Sequence, residues 1–182
     1  MTEYEIVKRQ NRGSFPIFDV ETRDIKTSRG TISRDVVLHG NAVAVLVVDR
    51  QTLKVLITTE YRSGVNEVRT AIPAGLAEEN ETPYDTALRE VAEETGAVLS
   101  DVDIINQTTI SSSEGFTSEE VTVFVILATV TKTGETHFDD DEYVTSSWVP
   151  MSHLINLVDN GVVKSAPAVV ATRSWQIRSL LD

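Results

Sequence analysis

Four charged side chains crowd one short run of this chain: Arg89, Glu90, Glu93 and Glu94. Glu90 and Glu94 are four residues apart and Glu93 is three from Glu90, so on a helix the three carboxylates share one flank. Like charges at that spacing cost roughly 0.2–0.5 kcal/mol per pair. Glu93 and Glu94 would also fall in the last helical turn, where the helix dipole disfavours negative charge by roughly another 0.3–1 kcal/mol each. Arg89 offsets part of this. A divalent cation would offset the rest, and hard oxygen donors in this pattern suit Mg2+ or Mn2+. Glutamate is also a good helix former, so the run by itself reads first as a solvated acidic face.

The flanking residues define the helix that carries these groups. Thr82 can cap its start, Pro83 suits the first helical position, and Asp85 is placed to complete a capping box. Gly96 can take the left-handed conformation that ends it. The spacing therefore predicts a helix over 83–95, with Tyr84, Ala87, Leu88 and Val91 as the buried stripe and the three glutamates on the opposite flank.

Around that helix the pattern is mostly strand. Residues 4–38 alternate apolar and polar positions in three short stretches, with a turn at Ser28-Arg29-Gly30, which predicts a small antiparallel sheet. Such a sheet is marginal alone and must pack on the rest of the chain or on a second subunit. Residues 41–48 form a near-continuous apolar run suited to a strand buried on both faces. Strands follow at 53–61 and 67–75, then at 102–111 and 119–130 beyond the helix, and at 143–150. Two amphipathic helices, over 151–159 and 165–181, close the chain. This divides it into an N-terminal β element, 1–38, and a main domain, 39–182. The main domain is a mixed sheet with helices, of α/β or α+β type.

With 182 residues, 41% hydrophobic and 24% charged, the chain can bury a sizeable core. The net charge of −12 argues against a nucleic-acid partner, which needs a basic footprint, but not against a small phosphorylated substrate held through a metal. There is no cysteine, hence no disulfide framework and no thiolate metal site. The N-terminal stretch has no signal-peptide core, and no apolar run reaches the roughly 18 residues of a spanning helix. A cytoplasmic protein without a membrane partner is the expectation.

The wider spacing separates the two readings of the acidic run. Gly75, five residues, Glu81, seven residues, Arg89-Glu90-Val91, one residue, Glu93-Glu94, one residue, Gly96-Ala97 resembles the signature of the Nudix hydrolases. Every charged and glycine position is present; only Ala97 is smaller than the usual aliphatic residue. The resemblance implies the Nudix fold, an α/β/α sandwich on a mixed sheet. It also implies hydrolysis of a nucleoside diphosphate linked to another group, with Mg2+ as cofactor and Mn2+ as its substitute. Within it, Glu90 and Glu94 would be the principal metal ligands, Glu93 would assist, and the carbonyl of Ala74 would complete the set. Arg89 would orient the glutamates and Glu81 would brace the loop.

The similarity extends past the signature. His39-Gly40, the run 41–45 and Tyr61-Arg62 look like the ADP-ribose pyrophosphatase branch of the family, and Ser113-Glu114-Gly115-Phe116-Thr117-Ser118-Glu119 resembles that branch's substrate loop, with Glu114 where proline is usual. By that resemblance Glu119 holds substrate, Arg62 clamps the diphosphate, Arg34 lies near the adenine side, and the chain forms a homodimer. Phe15 or Phe18 could stack an adenine, although an aromatic in an alternating strand is also an ordinary core residue. The acidic stretch 139–142 matches a loop that brings a catalytic base, for which Glu142 is the first candidate and Asp140 the reserve. The three histidines, His39, His137 and His153, show no metal-ligand spacing. The implied reaction is conversion of ADP-ribose to AMP and ribose 5-phosphate. The alternatives are the same chemistry on GDP-mannose or another nucleotide sugar, and a non-catalytic ADP-ribose-binding module.

Overall fold

The computed structural model describes residues 4–134, 136 and 144–180, in two compact units. The first comprises the chain up to Asn41 with Ser111–Glu120; the second is built from the remainder.

In the first unit, β1 (Glu5–Ser14), β2 (Phe18–Thr27) and β3 (Gly30–His39) form the expected antiparallel sheet in the order β1-β2-β3. The β2–β3 turn closes at Gly30, whose φ of +117° favours glycine; the Thr27 hydroxyl donates to the Gly30 carbonyl at 2.8 Å. Cross-strand ion pairs reinforce the ladder, with Glu21 accepting from Arg9 and Arg23, both at 2.5 Å. The segment Ser113–Glu119 docks on the end of β3: Val37 N–H donates to the Phe116 carbonyl at 2.8 Å, and Ser118 N–H to the Val37 carbonyl at 3.0 Å. Tyr4, Ile6, Val7, Phe15, Ile17 and Ile32 are exposed on this unit.

The second unit is organised on β4 (Ala42–Asp49), whose residues Val43 to Val48 are at most 2% exposed. A run that is apolar on both faces needs a layer on each side, and the alternation of side chains along the strand supplies two sets. Ala44, Leu46 and Val48 face one core with Leu154, Val158, Ala168 and Ala171 from α2 (Met151–Asp159) and α3 (Ala166–Arg178). Val43, Val45 and Val47 face the other with Ala87 and Val91 from α1 (Pro83–Thr95). The result is an α/β/α sandwich.

One edge of β4 pairs in parallel with β9 (Glu120–Thr133) from Ala42↔Val121 to Asp49↔Ala128. The sheet runs β10-β5-β4-β9-β8, with β5 (Lys54–Arg62), β8 (Ala97–Ser111) and β10 (Val144–Pro150). The stretch 67–75 is two strands rather than the single one expected. β6 (Glu67–Ala71) pairs with β5, and β7 (Ala74–Leu76) pairs with β4, so the chain changes partner at Ile72-Pro73. Pro73 has no N–H to continue a ladder, and its carbonyl accepts from Val45 N–H at 2.9 Å instead. β4 and β5 meet at Val48↔Val55 and separate beyond it, with this segment between them. Among the described residues, no helix is long and apolar enough to cross a membrane.

Candidate active site

The loop leading from β7 and the helix α1 assemble the site, and local chemistry sets their ends. The Thr82 hydroxyl accepts from Asp85 N–H at 3.2 Å and donates to the Asp85 carboxylate at 2.6 Å, so the cap is one reciprocal Thr82–Asp85 contact rather than a full capping box. Gly96 ends the helix at φ +67°, its N–H donating to the Ala92 carbonyl at 2.9 Å. Its carbonyl accepts from Gly134 N–H at 2.6 Å, and a Cβ at Gly96 would lie 2.4 Å from the Gly134 carbonyl oxygen.

Arg89 is the hub. Its Nε and Nη2 grip the Glu81 carboxylate at 2.8 and 3.0 Å, Nη2 also reaches the Leu76 carbonyl at 2.9 Å, and Nη1 donates to Glu90 at 2.8 Å and Glu93 at 2.7 Å. These contacts raise the guanidinium's already high pKa, Glu81 first, against an opposing desolvation. Glu81 also accepts from Glu78 N–H at 3.1 Å and the Thr86 hydroxyl at 2.9 Å. The Arg89 hydrogen bonds foremost, then the Glu78 amide and Thr86, hold its carboxyl down at about 2. The loop is thus pinned to the helix by charge-assisted, bidentate bonds.

The glutamates do not all share the exposed flank that their spacing predicts. Helical periodicity places Glu94 three residues after Val91 and seven after Ala87, and it is 8% exposed on the core side; Thr86 and Thr95 are buried with it, while Tyr84 and Leu88 are half-buried. Its one hydrogen bond among the described residues is from Ala74 N–H at 3.3 Å. Burial, then the neighbouring Glu90, pushes its pKa up to about 8 against that amide, with Glu60 adding repulsion and Arg62 relieving some. Glu90 is nearly buried, and its carboxylate lies against Gly75, where a Cβ would fall 2.0 Å from it. Glu93 is the outermost of the three.

Five carboxylates (Glu60, Glu81, Glu90, Glu93, Glu94) therefore meet two guanidiniums (Arg62, Arg89), leaving three negative charges in excess when all are ionised. Among the described residues no three acidic or histidine side chains are arranged to hold a metal ion as they stand, because Glu90 and Glu93 are drawn onto Arg89 and Glu94 onto the Ala74 amide. The donor chemistry nonetheless suits a hard divalent cation: Glu94 is buried, repelled by Glu90 and next to the Ala74 backbone, with Glu93 beside it on the helix.

Arg62 ends β5 in this unit, its Nη2 2.8 Å from Glu60. Glu60 was not singled out by spacing, and its only signal was a carboxylate two residues before Arg62 in a strand, which places both on one face. Phe15, Arg34 and Glu119 belong to the first unit. Phe15 is exposed rather than core, its ring 4.9 Å from that of Phe18. Arg34 is exposed and donates to the Ser33 carbonyl at 2.8 Å. Glu119 is 3.3 Å from His39 Nδ1. Glu142, Asp140 and His137 lie outside the described residues.

Comparison with known proteins agrees with this fold. The NUDIX domain family model matches residues 38–170. The chain is 30% identical over 181 residues to the ADP-ribose pyrophosphatase of Bacillus subtilis (strain 168), covering 99% of this chain and 96% of that one. It is 26% identical over 180 residues to the methanol dehydrogenase activator of Bacillus methanolicus, covering 98% and 96%. A crystal structure described as that of an ADP compounds hydrolase shares the fold, with a TM-score of 0.76 at 22% identity over 98% of this chain and 94% of that one. The family match takes in β4, the Arg89-centred loop and all of α1, and with it this chain belongs to the Nudix hydrolases.

Proposed function

We propose that this Nudix hydrolase cleaves ADP-ribose to AMP and ribose 5-phosphate with Mg2+ as its cofactor, Mn2+ being a substitute. The observation that carries the reading is the excess of carboxylates around Glu94, on a loop and helix that Arg89 and Glu81 hold rigid. Glu90 and Glu94, with Glu93 and the Ala74 carbonyl, would hold the cation. When bound, it neutralises charge on the diphosphate oxygens as the phosphorus is attacked. Arg89 and Glu81 fix where the carboxylates sit, and Arg62 binds and orients the diphosphate. Glu142, with Asp140 in reserve, removes the proton from the attacking water. Phe15, Arg34 and Glu119 contact the substrate's nucleoside and ribose parts. The reading includes a cytoplasmic location and a homodimer, the latter supported by the exposed apolar side chains of the N-terminal sheet. Residues 1–38 are the dimer- and substrate-side element and 39–182 the hydrolase domain.

A second reading keeps the chemistry and changes the sugar. Glu114 is exposed at the tip of the Ser113–Thr117 turn, which closes without proline through Phe116 N–H to the Ser113 carbonyl at 3.0 Å. This departure from the branch's proline keeps open a nucleotide sugar other than ADP-ribose, such as GDP-mannose. Turnover of ADP-ribose, GDP-mannose, UDP-glucose and NADH, each with Mg2+, decides between them. The highest kcat/KM is expected for ADP-ribose. A preference for GDP-mannose would replace the substrate, and tight ADP-ribose binding with no turnover of any compound would make the protein a binding module.

A further inference from the structure

β5 and β6 pair so that Glu60 stands opposite Arg69 and Arg62 opposite Glu67. Residues facing each other across an antiparallel pair, and residues two apart on one strand, share a face of the sheet. Four charges of alternating sign therefore occupy one face of this hairpin, while Tyr61 and Val68, also opposite each other, occupy the other. The charges pair within each strand as well: Arg62 Nη2 lies 2.8 Å from Glu60 and Arg69 Nη2 lies 2.9 Å from Glu67. Leu56, four residues before Glu60 and on the same side of β5, lies in the core that Val43, Val45 and Val47 share with Ala87 and Val91, so this is the face turned towards α1.

Arg69 is thus a second guanidinium on the Arg62 face, on a cross-strand diagonal of about 7–8 Å, within the span of two long side chains. Its side chain is 20% exposed against 58% for its partner Glu67, so the arginine is the inner member of the pair. Each ion pair occupies one nitrogen of a group with five N–H donors, which leaves both arginines able to grip phosphate oxygens. Glu60 and Glu67 offset the repulsion between two guanidiniums held on one face.

We propose that Arg69 is a substrate-binding residue and forms, with Arg62, a two-arginine clamp on the diphosphate. The inference rests on the nucleoside diphosphate reading of the site. Glu67 is the outer counterion of the hairpin and touches no substrate.

The test compares Arg69→Gln, Arg69→Lys and Glu67→Gln in the full chain with Mg2+, reading kcat, KM and Tm. Arg69→Gln is expected to raise KM about tenfold or more with kcat little changed; Arg69→Lys, which keeps the charge and loses the fork, falls between it and the wild type. Glu67→Gln keeps the wild-type KM or lowers it. If Arg69 only stabilises the hairpin, Arg69→Gln and Glu67→Gln lower Tm alike and leave KM alike, and the clamp is wrong. Wild-type turnover of ADP-ribose, GDP-mannose or UDP-glucose with an unaltered KM in Arg69→Gln removes this inference alone. A wild type that neither turns over nor binds any of the three removes the nucleoside diphosphate reading and the clamp with it; binding without turnover moves the same comparison of variants from KM to Kd.

Discussion

Glu81 and Glu94 stand at the two ends of one loop–helix and are chemically identical, yet they titrate at about 2 and about 8. Glu81 receives both arms of Arg89, a backbone amide and a hydroxyl. Glu94 is buried, faces Glu90 and accepts a single amide at 3.3 Å. The entry to the helix is saturated with donors and the exit is starved of them. A region built for stability alone would not keep a repelled carboxylate in its core, where an unpaired charge is costly. The contrast separates the groups that hold the loop from the groups left for a cation.

The largest effect that sharpens this contrast is at Glu94. Glu94→Gln keeps an acceptor for the Ala74 amide and removes the buried charge. Turnover is expected to fall about 1,000-fold or more, since several kcal/mol of charge stabilisation at the reacting phosphorus depends on the cation. Tm of the metal-free protein should hold or rise. A variant with normal turnover, or one that unfolds, breaks the distinction.

Next is Gly75. Its Cβ would enter the space of the Glu90 carboxylate, so Gly75→Ala must displace a donor without touching the Glu81–Arg89 brace. The Mg2+ concentration for half-maximal rate should rise about 10–100-fold, with Tm nearly unchanged. An unchanged Mg2+ requirement would take Glu90 out of the ligand set.

The smallest effect is on pH dependence, and the two ends have opposite signs. Glu94 has its folded pKa raised from 4.5 to about 8, so the metal-free protein keeps this part of its stability below pH 4.5 and loses it as pH rises towards 8. The Tm advantage of Glu94→Gln over wild type should therefore grow between pH 4.5 and 8 and stay level above, and saturating Mg2+ should diminish it. Glu81 has its folded pKa lowered from 4.5 to about 2, so its contribution is full above pH 4.5 and is lost as pH falls towards 2. The Tm deficit of Glu81→Gln should shrink over that window. Parallel pH profiles for the two variants would show that the ends do not differ.

Much of this was legible from local signals. Thr82, Pro83 and Gly96 bound the helix where expected, and the 41–48 run is the central strand, because caps and alternation act over a few residues. The break at Pro73 was written in the residue but masked by the apolar run around it. Arg69 stayed hidden because it looks like an ordinary strand charge until the register sets it on the face of Arg62, and Glu60 because only packing brings it near Glu94.

The sequence by itself determined which groups share a helix and at what spacing, since three- and four-residue intervals become neighbours in any α-helix. Only the tertiary structure decided that Glu94 turns into the core beneath the Ala74 amide, and that Arg62 and Arg69 lie on one face of a hairpin. Those facts depend on how strands distant in sequence pair and on which side of the helix they cover. Desolvation and cross-strand register are properties of that packing.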